Sequence, residues 1–315
     1  MNKRDISTLI EKINTYETII LFRHVRPDPD ALGSQLGFKH AILKLFPGKH
    51  VYAVGSTVDN LSFIGEMDEI SSDVFSDALA IVLDTANAPR IDDERYQLCA
   101  ETIKIDHHPP VDQYAGLNIV NTNSSSTSEI IYEILVDIGY GRDLITRDVA
   151  RCLYIGIVGD TGRFLFNNTS SRTMAIASEL LEYDIEHTAL INSMQQRDLT
   201  SIRFQGYVLQ HFKFEEGVGY IYITKAILEQ FNISASNASL FVNSLADTQG
   251  IKAWAFAIDE TNEIRVRLRS KGVVINELAA EYNGGGHPLA SGASVYSEEE
   301  LNQLIEKLKT LVKHA

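Results

Sequence analysis

The chain has little cysteine, a deficit of basic residues and no long apolar run, and each shortage removes a class of protein. Only two cysteines occur in 315 residues, Cys99 and Cys152, so neither a disulfide framework nor a cysteine-spaced metal site is available. No apolar stretch reaches the roughly 20 residues that span a bilayer. The opening Met1-Asn-Lys-Arg-Asp-Ile6 runs into an amphipathic helical pattern and not into a signal-peptide core, and a cytoplasmic location is the expectation that follows. Lys and Arg number 28 against 42 Asp and Glu, a formal charge of −14. That balance argues against wrapping long nucleic acid, where phosphate contacts dominate affinity. A small phosphorylated substrate stays open, because bound divalent cations or a local Arg cluster reverse the sign where it matters. Internal repeats and low-complexity tracts are absent from the sequence.

What remains is an ordinary globular composition, 44% hydrophobic and 22% charged, in a chain long enough for two cores. A helical pattern over Asp5–Tyr16 precedes a strand at Thr18–His24, a helix at Asp30–Phe46 and a short strand at His50–Val54. Ala78–Leu83 is a continuous apolar run, as expected of a strand buried on both faces, and Thr102–Ile105 and Leu117–Val120 follow. Helical patterns occupy Ser126–Ile138, Thr146–Val158 and Ser170–Tyr183. This alternation predicts an α/β fold: a mainly parallel sheet flanked by helices, on both of its faces. A polar helical stretch at Asp184–Gln196 and a helix at Thr200–Phe212 interrupt the strands. Beyond them, strands at Gly219–Thr224, Ile251–Asp259 and Glu263–Arg269 alternate with helices at Lys225–Phe231, Ala238–Asp247 and Val274–Tyr282. A Gly-rich loop and a final helix from Glu298, with Ser297-x-x-Glu300 as its capping box, close a smaller α+β unit. The expected organisation is residues 1–185 as the first domain, 186–212 as a helical connector and 213–315 as the second domain.

Chemistry collects where the predicted strands end. His24, Asp28 and Asp30 follow the first strand, Asp84 the Ala78–Leu83 run, and Asp106-His107-His108 the next, while Asp160 lies in Gly156-Ile-Val-Gly-Asp-Thr-Gly162 after an apolar helix. Taken alone, Asp30 reads as a helix N-cap and Asp160 as part of a C-terminal turn. Together they supply five carboxylates and three imidazoles, ligands suited to divalent cations such as Mn or Mg. Parallel strands bring their carboxyl ends to one crevice. Two ions roughly 3.5–4 Å apart need about this many ligands if one carboxylate bridges them, and Asp84 is the candidate bridge.

In the second half, Arg265, Arg267 and Arg269 alternate with Ile264, Val266 and Leu268 in a strand that ends at Ser270. Residues two apart share a face, so the arginines form an anion surface, Arg being suited to bidentate phosphate contacts. For Arg265 a solvated outer face explains the pattern equally well. The segment Asn283-Gly-Gly-Gly-His-Pro-Leu-Ala-Ser-Gly292 offers backbone N–H groups from Gly284, Gly285 and Gly286 to a phosphate, with His287 as a further donor. Asn121–Ser128 is open to two readings, substrate contact or a Ser126-x-x-Glu129 capping box. Arg163 is a further candidate for a phosphate contact.

His24-x-x-x-Asp28-x-Asp30, Asp84, Asp106-His107-His108 and Gly159-Asp160 together resemble the DHH phosphoesterase superfamily, and Gly284-Gly-Gly-His287 resembles its DHHA1 domain. Over essentially its whole length the chain is similar to the bacterial bifunctional oligoribonuclease and 3′-phosphoadenosine 5′-phosphate (PAP) phosphatase family. The resemblance implies a hydrolase, an exoribonuclease on very short RNA and a bisphosphate nucleotidase on PAP, with two Mn ions and with Mg or Co as substitutes. His24, Asp28 and Asp84 would hold one ion, and Asp30, Asp84, His107 and Asp160 the other. His108 would act on the scissile phosphate, and Asp106 would orient the adjacent imidazoles. Arg267, Arg269, Ser270, Gly284, Gly285, Gly286, His287 and Arg163 would bind substrate. Partners would be short RNA and PAP, with no membrane and no long nucleic acid, and the assembly is left open to a homodimer. The alternative function is a soluble phosphodiesterase for linear or cyclic dinucleotides.

Overall fold

The structure, a computed structural model, describes residues 2–137 and 141–314. It divides into two compact units, the first ending at Gln196 and the second beginning at Arg197.

The first unit runs α1 (Lys3–Thr15), β1 (Thr18–Phe22), α2 (Pro29–Leu45), β2 (His50–Ala53), β3 (Leu79–Leu83), β4 (Glu101–Asp106), β5 (Leu117–Val120), α3 (Thr127–Asp137), α4 (Arg147–Asp160), α5 (Ser171–Leu181) and α6 (His187–Gln195). The end expected for α3 at Ile138 lies outside the described residues. The five strands form one sheet in the order β2-β1-β3-β4-β5, with every neighbouring pair parallel. The order reverses between β1 and β3, and at such a switch point the two connections leave in opposite directions and open a crevice.

Helices on both faces were expected, and here the arrangement differs. Side chains from all six helices join Ile19, Leu21, Ile81, Leu83 and Ile105 in one core. The opposite face, Ile20, Phe22, Ala80 and Val82, is covered instead by Phe75 and Ile91 from short 3₁₀ turns. Those connections carry too few periodic apolar residues to form helices, yet each supplies one side chain large enough to close the core.

Helix α2 starts earlier than its apolar pattern implied. Asp28 is the N-cap, its Oδ1 accepting the N–H groups of Asp30 and Ala31 at 3.0 Å, with Pro29 at the first helical position. Asp30 is thereby released from capping its own helix. Helix α4 crosses α2 at very close range: a Cβ on Gly33 would lie 2.4 Å from the Cys152 carbonyl oxygen. Gly156 and Gly159 lie inside α4, whose last residue is Asp160, so these glycines serve close packing, and Gly162, at φ +53°, leaves the helix. At α3 only half of the expected capping box forms. The Glu129 N–H donates to Ser126 Oγ at 3.1 Å, but the Glu129 carboxylate accepts from Ser125 Oγ.

The second unit contains α7 (Leu199–His211), β6 (Lys213–Glu215), β7 (Val218–Ile223), α8 (Lys225–Phe231), α9 (Ala235–Ala238), β8 (Ala253–Asp259), β9 (Ile264–Ser270), α10 (Asn276–Glu281), β10 (Gly285–His287), β11 (Ala290–Val295) and α11 (Glu298–His314). Its mixed sheet has the order β10-β11-β9-β8-β7-β6. One face packs Ala255, Val266 and Leu268 against Leu304 and Leu308 of α11. The other packs Phe256 and Ile258 against Phe204 and Val208 of α7. The helix expected over Ala238–Asp247 is a short α-turn followed by a 3₁₀ segment, Ser239–Leu245. The expected Gly-rich loop is a hairpin: Gly285, Gly286 and His287 pair with Gly292, Ser291 and Ala290. At the start of α11 the Glu300 N–H donates to Ser297 Oγ, while the Glu300 carboxylate accepts the Tyr296 N–H, one residue before the cap.

Candidate metal centre

The carboxyl ends of β1, β3 and β4 lie on one edge of the sheet and bring His24, Asp84 and the Asp106–His108 run together. His24 lies beyond β1, held by an isolated antiparallel bridge to Ile91, and the N–H of Val25 donates to the Arg90 carbonyl at 2.7 Å. Buried Arg23 braces this turn from behind, donating to Asp92 Oδ2 and to the Ser56 carbonyl, each at 2.6 Å. His24 Nδ1 lies 2.9 Å from the Val25 carbonyl oxygen. With Nδ1 as the donor there, Nε2 keeps its lone pair, facing Asp28 Oδ2 at 3.6 Å and Asp84 Oδ2 at 3.4 Å.

Asp84 follows β3 directly and adopts φ +51°, a left-handed conformation that Asp tolerates better than most residues. Its two oxygens address different partners. Oδ2 faces His24, while Oδ1 lies 3.5 Å from His107 Nε2 and accepts from Thr127 Oγ1 at 3.1 Å. His107 Nε2 also lies 3.1 Å from Asp160 Oδ2. Asp30 is fully buried, its two oxygens accepting the N–H groups of Thr127 and Ser128 at 2.7 and 2.9 Å, so it caps α3 from a distance. Two sets of donors emerge, His24–Asp28–Asp84 and Asp30–His107–Asp160, with the atoms of each set within 4.8 Å of one another. A third set, Asp84–His107–His108, overlaps both.

The donor set fits divalent cations. Oxygen and nitrogen ligands at about 2.1 Å from an octahedral ion lie about 3 Å apart, close to the 3.1–3.6 Å separations between His24, Asp28, Asp84, His107 and Asp160. The charges fit as well. Burial together with the charges of Asp84, Asp160 and Asp28 raises the Asp30 carboxyl well above its ordinary range. Burial and the charges of Asp84 and Asp28 push Asp160 up to about 7. Burial opposes protonation of His24, but bonds to Asp28 and Asp84 outweigh it and raise the imidazole to about 10. Carboxylates gathered this closely hold protons unless cations replace them.

His108 is set apart from His107. Its Nδ1 lies 2.8 Å from Asp106 Oδ1, whose other oxygen is 3.1 Å from the buried Lys104 ammonium. The Asp106 bond raises the His108 imidazole above its ordinary value, whereas burial lowers that of His107. The Asp106 carboxylate bonds only one of the two imidazoles it was expected to orient. Two members of this arrangement, Lys104 and Thr127, were not singled out from the sequence. Lys104 sits inside an apolar strand, an anomaly that does mark it, and Thr127 lies in the Ser/Thr run left open between two readings.

The remaining candidates are not members of these donor sets. Arg163 is exposed in the turn after α4. In the second unit, Arg265, Arg267 and Arg269 pair with Ile258, Phe256 and Trp254 and share their face. Arg267 Nη1 is buried with no hydrogen-bond partner, and Nη2 lies 3.9 Å from Glu260. Arg269 Nη1 donates to the Leu268 carbonyl at 2.8 Å, and Ser270 Oγ to that of Val273 at 2.5 Å. Gly284 has no room for a side chain, since its Cβ would lie 1.9 Å from the Gly292 carbonyl oxygen. Strand β10 is the sheet edge, and the alternation of a ladder turns part of its N–H groups outward. His287 is exposed and its Nδ1 accepts the Leu289 N–H at 3.3 Å.

A parallel sheet with a carboxylate–imidazole cluster at its switch point, followed by a mixed-sheet unit, defines a two-unit α/β protein whose clustered donors could hold metal ions. The family model "DHH family, N-terminal domain" matches residues 18–157, and "DHHA1 domain" matches residues 217–314. The chain belongs to the DHH family, in the branch that carries a DHHA1 domain. It is 47% identical to the "Bifunctional oligoribonuclease and PAP phosphatase NrnA" of Bacillus subtilis, over 97% of this chain and 98% of that protein. It is 44% identical to the "Probable bifunctional oligoribonuclease and PAP phosphatase NrnA" of Streptococcus mutans, again over 97% and 98%. Among solved structures, an "exopolyphosphatase-related protein" from Bacteroides fragilis superposes with a TM-score of 0.87 at 29% identity, covering 99% of this chain and 98% of that one.

Proposed function

We propose that this protein is a metal-dependent phosphoesterase that degrades very short RNA to nucleoside monophosphates and dephosphorylates PAP to AMP. The observation that carries the reading is the pair of donor sets, His24–Asp28–Asp84 and Asp30–His107–Asp160, linked by the 3.5 Å approach of Asp84 Oδ1 to His107 Nε2, in a chain 47% identical to NrnA of B. subtilis over 97% of its length. His24, Asp28 and Asp84 hold one cation, and Asp30, Asp84, His107 and Asp160 the other; Mn is the ion we assign, with Mg or Co able to substitute. When bound, such ions lower the pKa of water and offset charge on phosphoryl oxygens.

The chain's own groups do the rest. Asp106 engages His108 at Nδ1, which leaves Nε2 as the position for the transferable proton, and the same bond raises the basicity of the ring. Delivered to the departing oxygen, that proton avoids expulsion of a bare alkoxide. Arg267, Arg269, Ser270, the outward amides of Gly284–Gly286 and His287 bind the non-scissile part of the substrate, and Arg163 contributes a phosphate contact. We read residues 1–185 as the catalytic domain, 186–212 as a connector and 213–315 as the substrate-binding domain. Among the described residues no helix is long and apolar enough to cross a membrane; we assign the protein to the cytoplasm.

The test is turnover of a two-nucleotide RNA, a long RNA and PAP by purified protein with Mn and then with chelator. Mn-dependent cleavage of the dinucleotide and PAP, with the long RNA largely spared, is the expected result. Absence of turnover of all three by metal-loaded protein would overturn the reading.

A further inference from the structure

We infer that Phe166 is a nucleobase platform, so that the first unit carries its own recognition of a nucleoside next to the phosphate chemistry. This rests on the phosphoesterase reading above.

The loop after α4 is built with more care than an exit from a helix needs. Gly162, Arg163 and Phe164 adopt φ +53°, +63° and +65°, three consecutive left-handed residues of which two carry side chains. Such backbone persists only where its surroundings impose it. Here Thr161 imposes it. The Thr161 carbonyl accepts the N–H groups of both Leu165 and Phe166 at 3.0 Å, and its Oγ1 accepts that of Phe164 at 3.0 Å. Asn168 then ties the far end back, its Nδ2 donating to the Asp160 carbonyl at 3.1 Å and to that of Ser125 at 2.9 Å. The loop therefore closes on the backbone of a candidate metal ligand.

Its side chains are sorted. Phe164 turns inward against the core, 6.4 Å from the Tyr154 ring centroid. Leu165 and Phe166 turn outward, 77% and 60% exposed. The Phe166 ring rests on Gly162, where an added Cβ would come within 2.5 Å of it. Glycine at 162 thus leaves space for the ring two residues beyond Asp160. Leaving two large apolar side chains in water is unfavourable, and here bent backbone is held in place to keep them there. Exposed Arg163 lies on the same loop. A ring face and a guanidinium on the loop tied to the backbone of a candidate metal ligand match one ligand chemistry, that of a nucleotide, whose base stacks while its phosphate is neutralised.

The experiment compares an adenine dinucleotide with the same dinucleotide in which either base is replaced by hydrogen. The wild-type enzyme should prefer the fully based substrate in kcat/KM by about tenfold or more, the range of one base–aromatic stack. Phe166→Ala should remove most of that preference and Phe166→Trp should retain it. Phe166→Leu keeps apolar bulk without a π face and should behave like Ala. In parallel, 2-aminopurine riboside 5′-monophosphate, a product analogue, is titrated with Mg-loaded protein. Its fluorescence should be quenched on binding to the wild type and to Phe166→Trp, and much less on binding to Phe166→Ala or Phe166→Leu. Melting temperature and Mg affinity identify any variant whose loop has collapsed, and the Trp and Leu pair then decides. Unchanged preference and unchanged quenching in both Phe166→Ala and Phe166→Leu would overturn the inference. Quenching without turnover of either substrate by the wild type would overturn the phosphoesterase reading and leave the base platform standing.

Discussion

Asp30 Oδ2 accepts the backbone N–H of Thr127 at 2.7 Å, which locks the first turn of α2 onto the first turn of α3. The same Thr127 donates its hydroxyl to Asp84 Oδ1 at 3.1 Å. One residue outside the donor sets therefore orients two carboxylates within them. Thr127→Val keeps the N–H and the shape but removes the hydroxyl. Groups that orient metal ligands are worth about 10- to 100-fold in affinity, so Mn affinity by calorimetry should fall by that factor, while Thr127→Ser retains it. Equal affinity in Thr127→Val and wild type would show that Asp84 needs no such support.

The carboxylate cluster makes the metal-free protein sensitive to pH in an unusual direction. Between pH 6.5 and 8.5 the unfolded chain has ionised Asp, and its His goes from about half protonated to almost wholly neutral. In that window the folded chain still holds a proton on His24, raised to about 10, and on Asp160 up to about 7, and the Asp30 carboxyl is shifted in the same direction. It binds more protons than the unfolded chain, so stability falls as pH rises, by an amount on the order of a few kcal/mol. Buried His40 and His107 act oppositely, but their effect fades as the unfolded imidazoles lose their protons above pH 6.5. The melting temperature of chelator-treated protein should drop from pH 6.5 to 8.5, and added Mn should raise it more at 8.5 than at 6.5. Asp160→Asn should flatten the chelated profile and shrink the Mn shift. A chelated melting temperature that stays level or climbs over this range would refute the account.

The two adjacent histidines should separate cleanly. His107 Nε2 faces Asp84 and Asp160, whereas His108 is held through Nδ1 by Asp106. His107→Ala should lose metal affinity together with turnover. His108→Ala should keep most of the metal affinity and lose about 10²–10⁴ in kcat, the span of general acid catalysis. Asp106→Asn should show the same split more weakly, with the alkaline limb of its pH–rate profile displaced to lower pH. Loss of metal by His108→Ala would assign that ring to the ligands instead.

Arg267 carries the clearest unmet demand in the second unit, a buried Nη1 with no partner. A bound phosphate would satisfy it. Arg267→Ala should raise KM for the dinucleotide about 10- to 100-fold, as expected for hydrogen bonds to a charged group, with a smaller change in kcat. Arg265 already donates to Ser294 Oγ at 2.7 Å, and Arg265→Ala should have the lesser effect. The reverse ranking would move the anion site along the strand.

The parallel sheet and the chemistry at its strand ends were legible because β1 and β3 are short apolar runs, a pattern strands buried on both faces produce, and β1, β3 and β4 lead into His24, Asp84 and Asp106. Strand β11 was not legible. Its sequence, Ala290-Ser-Gly-Ala-Ser-Val295, has little intrinsic strand preference, and pairing with β9 makes it a strand. The hairpin β10–β11 forms through contacts at Gly284 and Gly286 that composition does not encode. Asp28 as the cap of α2 was within reach, since Pro29 marks the first helical position. Asp30 capping a helix 97 residues away was not, because that bond exists only after the sheet has brought α2 and α3 together.

The crossing of α2 and α4 yields the sharpest stability prediction. Asp30 is carried by α2 and Asp160 by α4, so the distance between those helices sets the width of one donor set. Gly33 and Gly156 permit it: added Cβ atoms would meet the Cys152 carbonyl at 2.4 Å and Ser128 Oγ at 2.0 Å. Neither contact is relieved by a rotamer change alone. The first is to backbone, and the second is to a buried side chain, with Asp30 Oδ1 only 2.9 Å from the same Cβ. Gly33→Ala should therefore force α2 and α4 apart, destabilising by about 1–3 kcal/mol, and should weaken Mn binding at the same time. Gly206, within α7, has open space around its missing Cβ, and Gly206→Ala should instead stabilise by about 0.5–1 kcal/mol through helix propensity. Denaturant unfolding and Mn calorimetry on the two variants check the contrast; a Gly33→Ala protein with wild-type stability and wild-type Mn affinity would mean that the crossing does not set the site.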